Sequence, residues 1–241
     1  MKYLGGIIVF AVPILLLFLC PASALSEVFV HDMIARKGEE VMLKAVTRGK
    51  FFRKGGVVAE FIVNGRSVGK NLSGGDGVAF RQFRPSAARR YSITVKTASE
   101  EDRGILLVLE KGDRIIFVDV EAALLEGTFS QKPRRGSQEI IAQLSKRFPV
   151  VFLQTGMLNE RAIKSWLKEN GFRALPVIPW DQGRIFHEIR EKGIGIHAII
   201  GSSMVIESAG EHAPKAFSFG DAENAQAVKS WQEIGRKLKK Q

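Results

Sequence analysis

The hydrophobic period of this chain changes once, around Lys111-Gly112-Asp113-Arg114, and that change decides what it can fold into. Before it, short runs alternate apolar and polar residues at every second position, as half-buried strands do. After it, short continuous apolar runs alternate with segments of helical period, the pattern of a parallel sheet with crossover helices. Two domains are expected: an all-β sandwich over residues 26–110, then an α/β three-layer domain with a parallel sheet over residues 112–241. So short a connection restricts how the two can be oriented.

Residues 1–24 read as a signal peptide. Lys2 is a positive n-region, residues 7–19 are an apolar h-region, and Ala22-Ser23-Ala24 is a small-residue cleavage site. The apolar run is short for a membrane span and Pro13 and Pro21 interrupt it, so no transmembrane span is expected after cleavage. The rival reading is an uncleaved N-terminal anchor. The expected location is periplasmic or extracellular. Cys20 is the one cysteine, so the mature chain has neither disulfides nor thiolate zinc sites and is held by its cores. Cleavage removes Lys2 and no acid, taking the formal charge from +11 to +10. Such a balance favours anionic partners, such as a lipid headgroup, an envelope polymer or nucleic acid. A merely solvated basic surface is the alternative.

In the first domain, Val41, Leu43, Ala45 and Thr47 share one face of a strand, with Glu40, Met42, Lys44 and Val46 on the other. A second strand at 57–63 closes on Asn64-Gly65, a dipeptide favoured in type I′ hairpin turns, and returns over 66–70. Further strands are expected at 78–83, 91–97 and 104–110, a spacing that suits a sandwich. Phe61-Ile-Val-Asn-Gly-Arg-Ser-Val-Gly69, Gly75-Asp-Gly-Val-Ala79 and Tyr91-Ser-Ile-Thr-Val95 resemble the immunoglobulin-like domains of bacterial surface and periplasmic proteins. The resemblance implies a spacer or adhesion module with no catalytic residues. It also implies a tyrosine corner at Tyr91, the alternative being a plain core aromatic. Arg81, Arg84, Arg89 and Arg90 interleave with Phe80 and Phe83, which would suit base stacking. A strand with Phe toward the core and Arg toward solvent reads the same way, so nucleic acid is not the expected partner.

In the second domain, strands are expected at 115–119, 150–155, 174–178, 196–200 and 215–219. Helices are expected at 137–147, after an N-cap at Asn159, at 184–192, after 203, and from Asp221 to the basic end. Three strands finish in polar groups: Asp119 with Glu121, Thr155 with Gly156, and Gly201-Ser202-Ser203 with Glu207. Ligands of open α/β sheets bind at that edge. Carboxylates and hydroxyls there would suit Mg²⁺ and a phosphoryl group. His187, His197 and His212 lack metal-like spacing, and Trp166 and Trp231 fall on helix faces with core periodicity.

Residues 114–235 resemble the haloacid dehalogenase-like phosphohydrolases, in particular the lipin-type phosphatidate phosphatases. Ile115-Ile-Phe-Val-Asp-Val-Glu121 stands where that family has a strand followed by Asp-x-Asp. Phe152-Leu-Gln-Thr155 stands at its second motif, Leu175-Pro-Val-Ile-Pro179 at its Leu-Pro-x-x-Pro strand, and Ile199-Ile-Gly-Ser202 with Glu207 at its fourth. The resemblance implies Asp119 as nucleophile and metal ligand, Glu121 as general acid and base, and Thr155 and Gly156 at the phosphoryl oxygens. Glu207 and Ser202 would then be Mg²⁺ ligands. Several positions depart from the pattern. Glu121 is one methylene longer than Asp, a displacement of about an ångström at the proton donor. Ser202 replaces a metal-binding Asp, and the phosphate-binding Lys has no match; Trp180 and Asp181 fall near its place, with Arg184 or Lys192 as substitutes. Two readings therefore stand. One is a domain with degenerate motifs that binds an anionic small molecule, a lipid headgroup or an envelope protein. The other is a Mg²⁺-dependent phosphohydrolase working through an aspartyl-phosphate. The run Arg236-Lys-Leu-Lys-Lys240 is a solvated helix end or a contact for anionic headgroups.

Overall fold

A computed structural model describes residues 27–49, 52–127 and 130–239. The signal segment and Cys20 lie outside the described residues, as does Lys240. No helix among the described residues is long and apolar enough to cross a membrane.

The N-terminal half is a two-sheet sandwich. One sheet orders β1 (Glu27–Val30), β3 (Val41–Arg48) and β6 (Val78–Phe83), all antiparallel. The other orders β2 (Met33–Arg36), β8 (Glu101–Leu109), β7 (Arg90–Lys96), β4 (Val58–Val63) and β5 (Arg66–Leu72). Its strands are antiparallel except that β2 runs parallel to β8. Inward residues of both sheets, Leu43, Ala45, Phe61, Ile93, Val95 and Leu106 among them, form one dry core. This is an immunoglobulin-like arrangement. The Asn64-Gly65 turn takes left-handed backbone at both residues, φ 49° and 81°, as a type I′ turn requires. Tyr91 is buried, and its hydroxyl donates to the Ala87 carbonyl and accepts from the Ala87 N–H, both at 3.1 Å. That is the geometry of a tyrosine corner. One expectation is corrected. Phe80 is 40% exposed rather than turned to the core, while Phe83 packs edge-on against Tyr91. Val46, on the face of β3 opposite Leu43 and Ala45, is buried as well.

The C-terminal half is a six-stranded, wholly parallel sheet in the order β11 (Val177–Pro179), β10 (Val150–Gln154), β9 (Arg114–Asp119), β12 (Gly195–Ile200), β13 (Ala216–Ser218), β14 (Gln226–Ala227). Alternation along β9 divides the core. Ile116 and Val118 join the layer under α1 (Ser137–Leu144), α2 (Glu160–Glu169) and α5 (Trp231–Lys239). Ile115 and Phe117 join the layer under α3 (Arg184–Glu191) and α4 (Ser203–Ala209). Trp166 and Trp231 are buried in the first layer as their periodicity predicts, and Trp231 donates its Nε1–H to the Ala123 carbonyl at 3.0 Å. The edge strand β11 is limited to three residues because Pro176 and Pro179 bring no amide hydrogen to a ladder. The last helix begins at Trp231, ten residues later than expected, because β14 and its flanking turns take up the interval.

The two halves are firmly joined. Leu107 and Leu109 of β8 belong to the same apolar cluster as α3 and α4. Buried Asp32, between β1 and β2, accepts from the N–H of Ile105 at 2.7 Å and of Val177 at 2.8 Å. Lys164 of α2 pairs with Asp32 at 2.9 Å and with Glu160 at 3.0 Å, and His31 Nδ1 meets Glu160 at 2.8 Å.

A candidate binding cleft at the carboxyl edge of the parallel sheet

The chain leaves β9 toward β10 on one side and later returns to β12 on the other, so the strand order reverses at β9. Reversal opens a crevice above the strand's carboxyl end, where Asp119 stands. A single wide helical turn, Val120–Leu124, follows at once, and Asp119 Oδ1 caps it by accepting the Ala122 N–H at 3.2 Å. Wide turns of this kind are common at functional sites.

Asp119 is almost fully buried. Its Oδ1 also accepts the Thr155 hydroxyl at 2.7 Å, and its Oδ2 accepts the Ser202 N–H at 3.3 Å and hydroxyl at 3.1 Å. Each carboxylate oxygen therefore has two donors. Glu121 reaches over the loop after β10, where Oε1 accepts the Leu158 N–H at 2.9 Å. A Cβ at Gly156 would lie 2.1 Å from Glu121 Oε2, so a larger residue there would displace the Glu121 carboxylate.

These residues line a cleft of about 460 Å³ shared by Asp119, Glu121, Thr155, Gly156 and Ser202. Glu207 is absent from it. Helix α4 buries Val205, Ile206 and Ala209, which turns Glu207 to solvent. Arg184 pairs with Asp181 and Glu188 on the exposed side of α3, and Lys192 pairs with Glu39 of the sandwich, so neither stands in the cleft.

The cleft also holds Arg134, whose part the sequence does not signal, and Trp180, which falls near the place of the unmatched Lys. Arg134 arrives beside Leu125 because Leu125 and Pro133 pair through an antiparallel bridge. Its Nη2 donates to the Leu125 carbonyl at 2.8 Å and its guanidinium lies 4.1 Å from the Phe219 ring centroid. Burial draws its pKa down while Glu126 opposes the shift, and a guanidinium stays charged regardless. Trp180 forms another wall, its Nε1–H donated to the Ser208 hydroxyl at 2.9 Å. Asp181 and Gln182, which follow it, both hold left-handed backbone at φ 47° and 52°. Strain of that kind in non-glycine residues is kept only where surrounding structure imposes it.

The donor set does not fit Mg²⁺. That ion needs near-octahedral oxygen coordination. Here both Asp119 oxygens already accept hydrogen bonds, Ser202 supplies a neutral alcohol, and Glu207 is elsewhere. Among the described residues no three histidine or acidic side chains are grouped to hold a metal. The histidines are dispersed: His187 pairs with Glu191, His197 stacks on Phe148, and His212 contacts Arg190.

No protein-family model and no curated protein sequence matches the chain. Among solved structures, the fibronectin(III)-like modules of Clostridium thermocellum CbhA are 14% identical over 35% of this chain and 98% of their own, with a TM-score of 0.27. The tandem Ig repeats of Dlar are 14% identical over 42% of this chain and 60% of theirs, with a TM-score of 0.30. An FMN-binding β-glucuronidase from Facaelibacterium prausnitzii is 16% identical over 35% of this chain, which spans only 12% of that enzyme, with a TM-score of 0.27. Likeness of this extent says nothing about chemistry.

Proposed function

We propose that this is an exported, non-catalytic relative of the haloacid dehalogenase-like phosphohydrolases, whose α/β domain is a binding module of the cell envelope and whose sandwich is its spacer. The relationship is supported by the meeting of Asp119, Thr155 and Ser202 from three adjacent strands at the switch point. The loss of catalysis rests on one observation, that both Asp119 oxygens accept two hydrogen bonds each. A carboxylate nucleophile needs a lone pair directed at the phosphorus. This one directs its lone pairs into the protein.

Electrostatics supports the same reading. Among the described residues, Asp119 and Glu121 face a single cationic wall residue, Arg134. Without a divalent cation, a phosphate dianion entering that cleft would meet like charge. The cleft better suits a small molecule bearing hydroxyl or amine donors for Glu121, with an apolar face for the Trp180 indole. The phosphohydrolase reading keeps one observation in its favour, the 2.7 Å approach of Thr155 to Asp119. The test is turnover: the purified protein with Mg²⁺ is given p-nitrophenyl phosphate and, separately, phosphatidate in mixed micelles. Release of phosphate no faster than from Asp119→Asn is expected. Release that this substitution abolishes would return the protein to the hydrolases.

A further inference from the structure

The opposite edge of the parallel sheet carries the reverse charge. A pocket of about 380 Å³ opens where the amino ends of β10 and β11 meet the sandwich. Among the described residues, Arg90, Lys146, Arg147 and Arg173 line it, and no carboxylate does. Arg90 comes from β7 of the sandwich, and its Nη1 donates to the Ala174 carbonyl across the junction at 2.6 Å. Arg173 reaches the neutral hydroxyl of Ser145 at 3.4 Å, and the Arg147 guanidinium lies 5.7 Å from the Phe148 ring centroid.

Outside the pocket, Lys37 pairs with Glu110, Arg161 with Glu27 and Lys237 with Glu233. The larger cleft between the domains, about 660 Å³, is mixed as well, with Asp32, Glu101 and Asp102 facing Arg103, Lys164 and Lys168. The basic pocket alone among these gathers charge of one sign in a concave site, which concentrates positive potential and draws in anions. The field extends along the edge. His197, whose ring stacks on Phe148 at 4.3 Å, has its pKa lowered by burial and by the charges of Lys215 and Arg114.

We propose that this pocket is a phosphate-binding site, distinct from the cleft at the carboxyl edge and independent of what that cleft binds. Its size admits one phosphate-bearing group, and guanidinium forks match phosphate oxygens in pairs. The group belongs either to a free phosphorylated molecule or to an anionic lipid headgroup, and two probes separate these. Inorganic pyrophosphate represents the first, and phosphatidylcholine vesicles with an equal share of phosphatidylglycerol represent the second.

Binding of both probes to the full chain is compared with that of the double variant Lys146→Gln/Arg173→Gln and of Lys237→Gln, which removes an exposed cation outside the pocket. Melting temperature is followed throughout to establish that the variants fold. The proposal expects at least one probe to bind, and the double variant to weaken it by about tenfold or more per lost charge-assisted contact, while Lys237→Gln changes it little. Pyrophosphate binding without vesicle binding identifies a soluble ligand; vesicle binding without pyrophosphate binding identifies a headgroup. Failure of both probes to bind overturns the proposal. So does equal weakening by the double variant and Lys237→Gln, which would reduce the pocket to part of a diffuse basic surface.

Discussion

Ser202 stands over Asp119 and donates to its Oδ2 from both hydroxyl, at 3.1 Å, and backbone N–H, at 3.3 Å. The second residue after β12 therefore holds the last residue of β9 and adds no charge to it. A carboxylate at position 202 would turn this contact into repulsion that only a cation could relieve.

Ser202→Asp is accordingly expected to be destabilised in chelator, by roughly 1–3 kcal/mol, because two acids close together cannot both ionise freely. Mg²⁺ at about a hundred times its dissociation constant would return about 2.7 kcal/mol. The unmodified protein should melt at the same temperature in Mg²⁺ and in chelator. Calorimetry in both media checks the pair of outcomes, and a Mg²⁺ shift in the unmodified protein would count against the account.

Asp119→Ala leaves the Thr155 hydroxyl, the Ala122 N–H and both Ser202 donors without their acceptor. A loss of about 2–4 kcal/mol is expected for a buried acceptor of this kind. Urea unfolding measures it. A loss under about 0.5 kcal/mol, the range of ordinary surface substitutions, would mean the bonds do not hold the switch point together.

The domain junction should respond to pH at both extremes. Lys164 is buried, which lowers its pKa, but the charges of Asp32 and Glu160 outweigh burial and raise it above 10.5. Its contribution is present below that value and is lost as pH rises through the folded value. Burial raises the Glu160 pKa, but the His31 hydrogen bond and the Lys164 charge outweigh it and hold the group below 4.5. That contribution is present above 4.5 and is lost as pH falls through the folded value. Lys164→Met strands two buried acids and should cost about 3–5 kcal/mol at neutral pH. Glu160→Gln should flatten the acid limb of the stability profile. An unchanged acid limb would remove Glu160 from this role.

Tyr91→Phe deletes the two bonds to Ala87 and keeps the ring against Phe83. The expected cost is about 1 kcal/mol, read as a lowered urea midpoint at unchanged slope.

How far the chain was legible follows from the range of its interactions. Strand β9 was legible because Ile115, Ile116, Phe117 and Val118 are all buried, two on each face of the sheet. The Asn64-Gly65 turn and the Tyr91 corner were legible because each is a local bond with its own residue preference. Strands β1 and β2 were not: four residues each, parted at His31-Asp32, are too short for alternation to register. Counting along the chain from Ser202 to Glu207 could not foresee that packing of Val205, Ile206 and Ala209 turns Glu207 outward. Arg134 reaches the cleft through a bridge between Leu125 and Pro133, which no local pattern announces. The gathering of Arg90 with Arg173 depends on how two domains meet, and composition indicated only an excess of charge.

The central claim is that the Asp119 carboxylate is bound within the protein and unavailable to a phosphoryl group. Beryllium trifluoride with Mg²⁺ imitates an acyl phosphate on a reactive aspartate, so its effect on melting temperature reports directly on that availability. The account predicts no shift, in the unmodified protein or in Asp119→Asn. A Mg²⁺-dependent stabilisation of the unmodified protein that Asp119→Asn abolishes would contradict it.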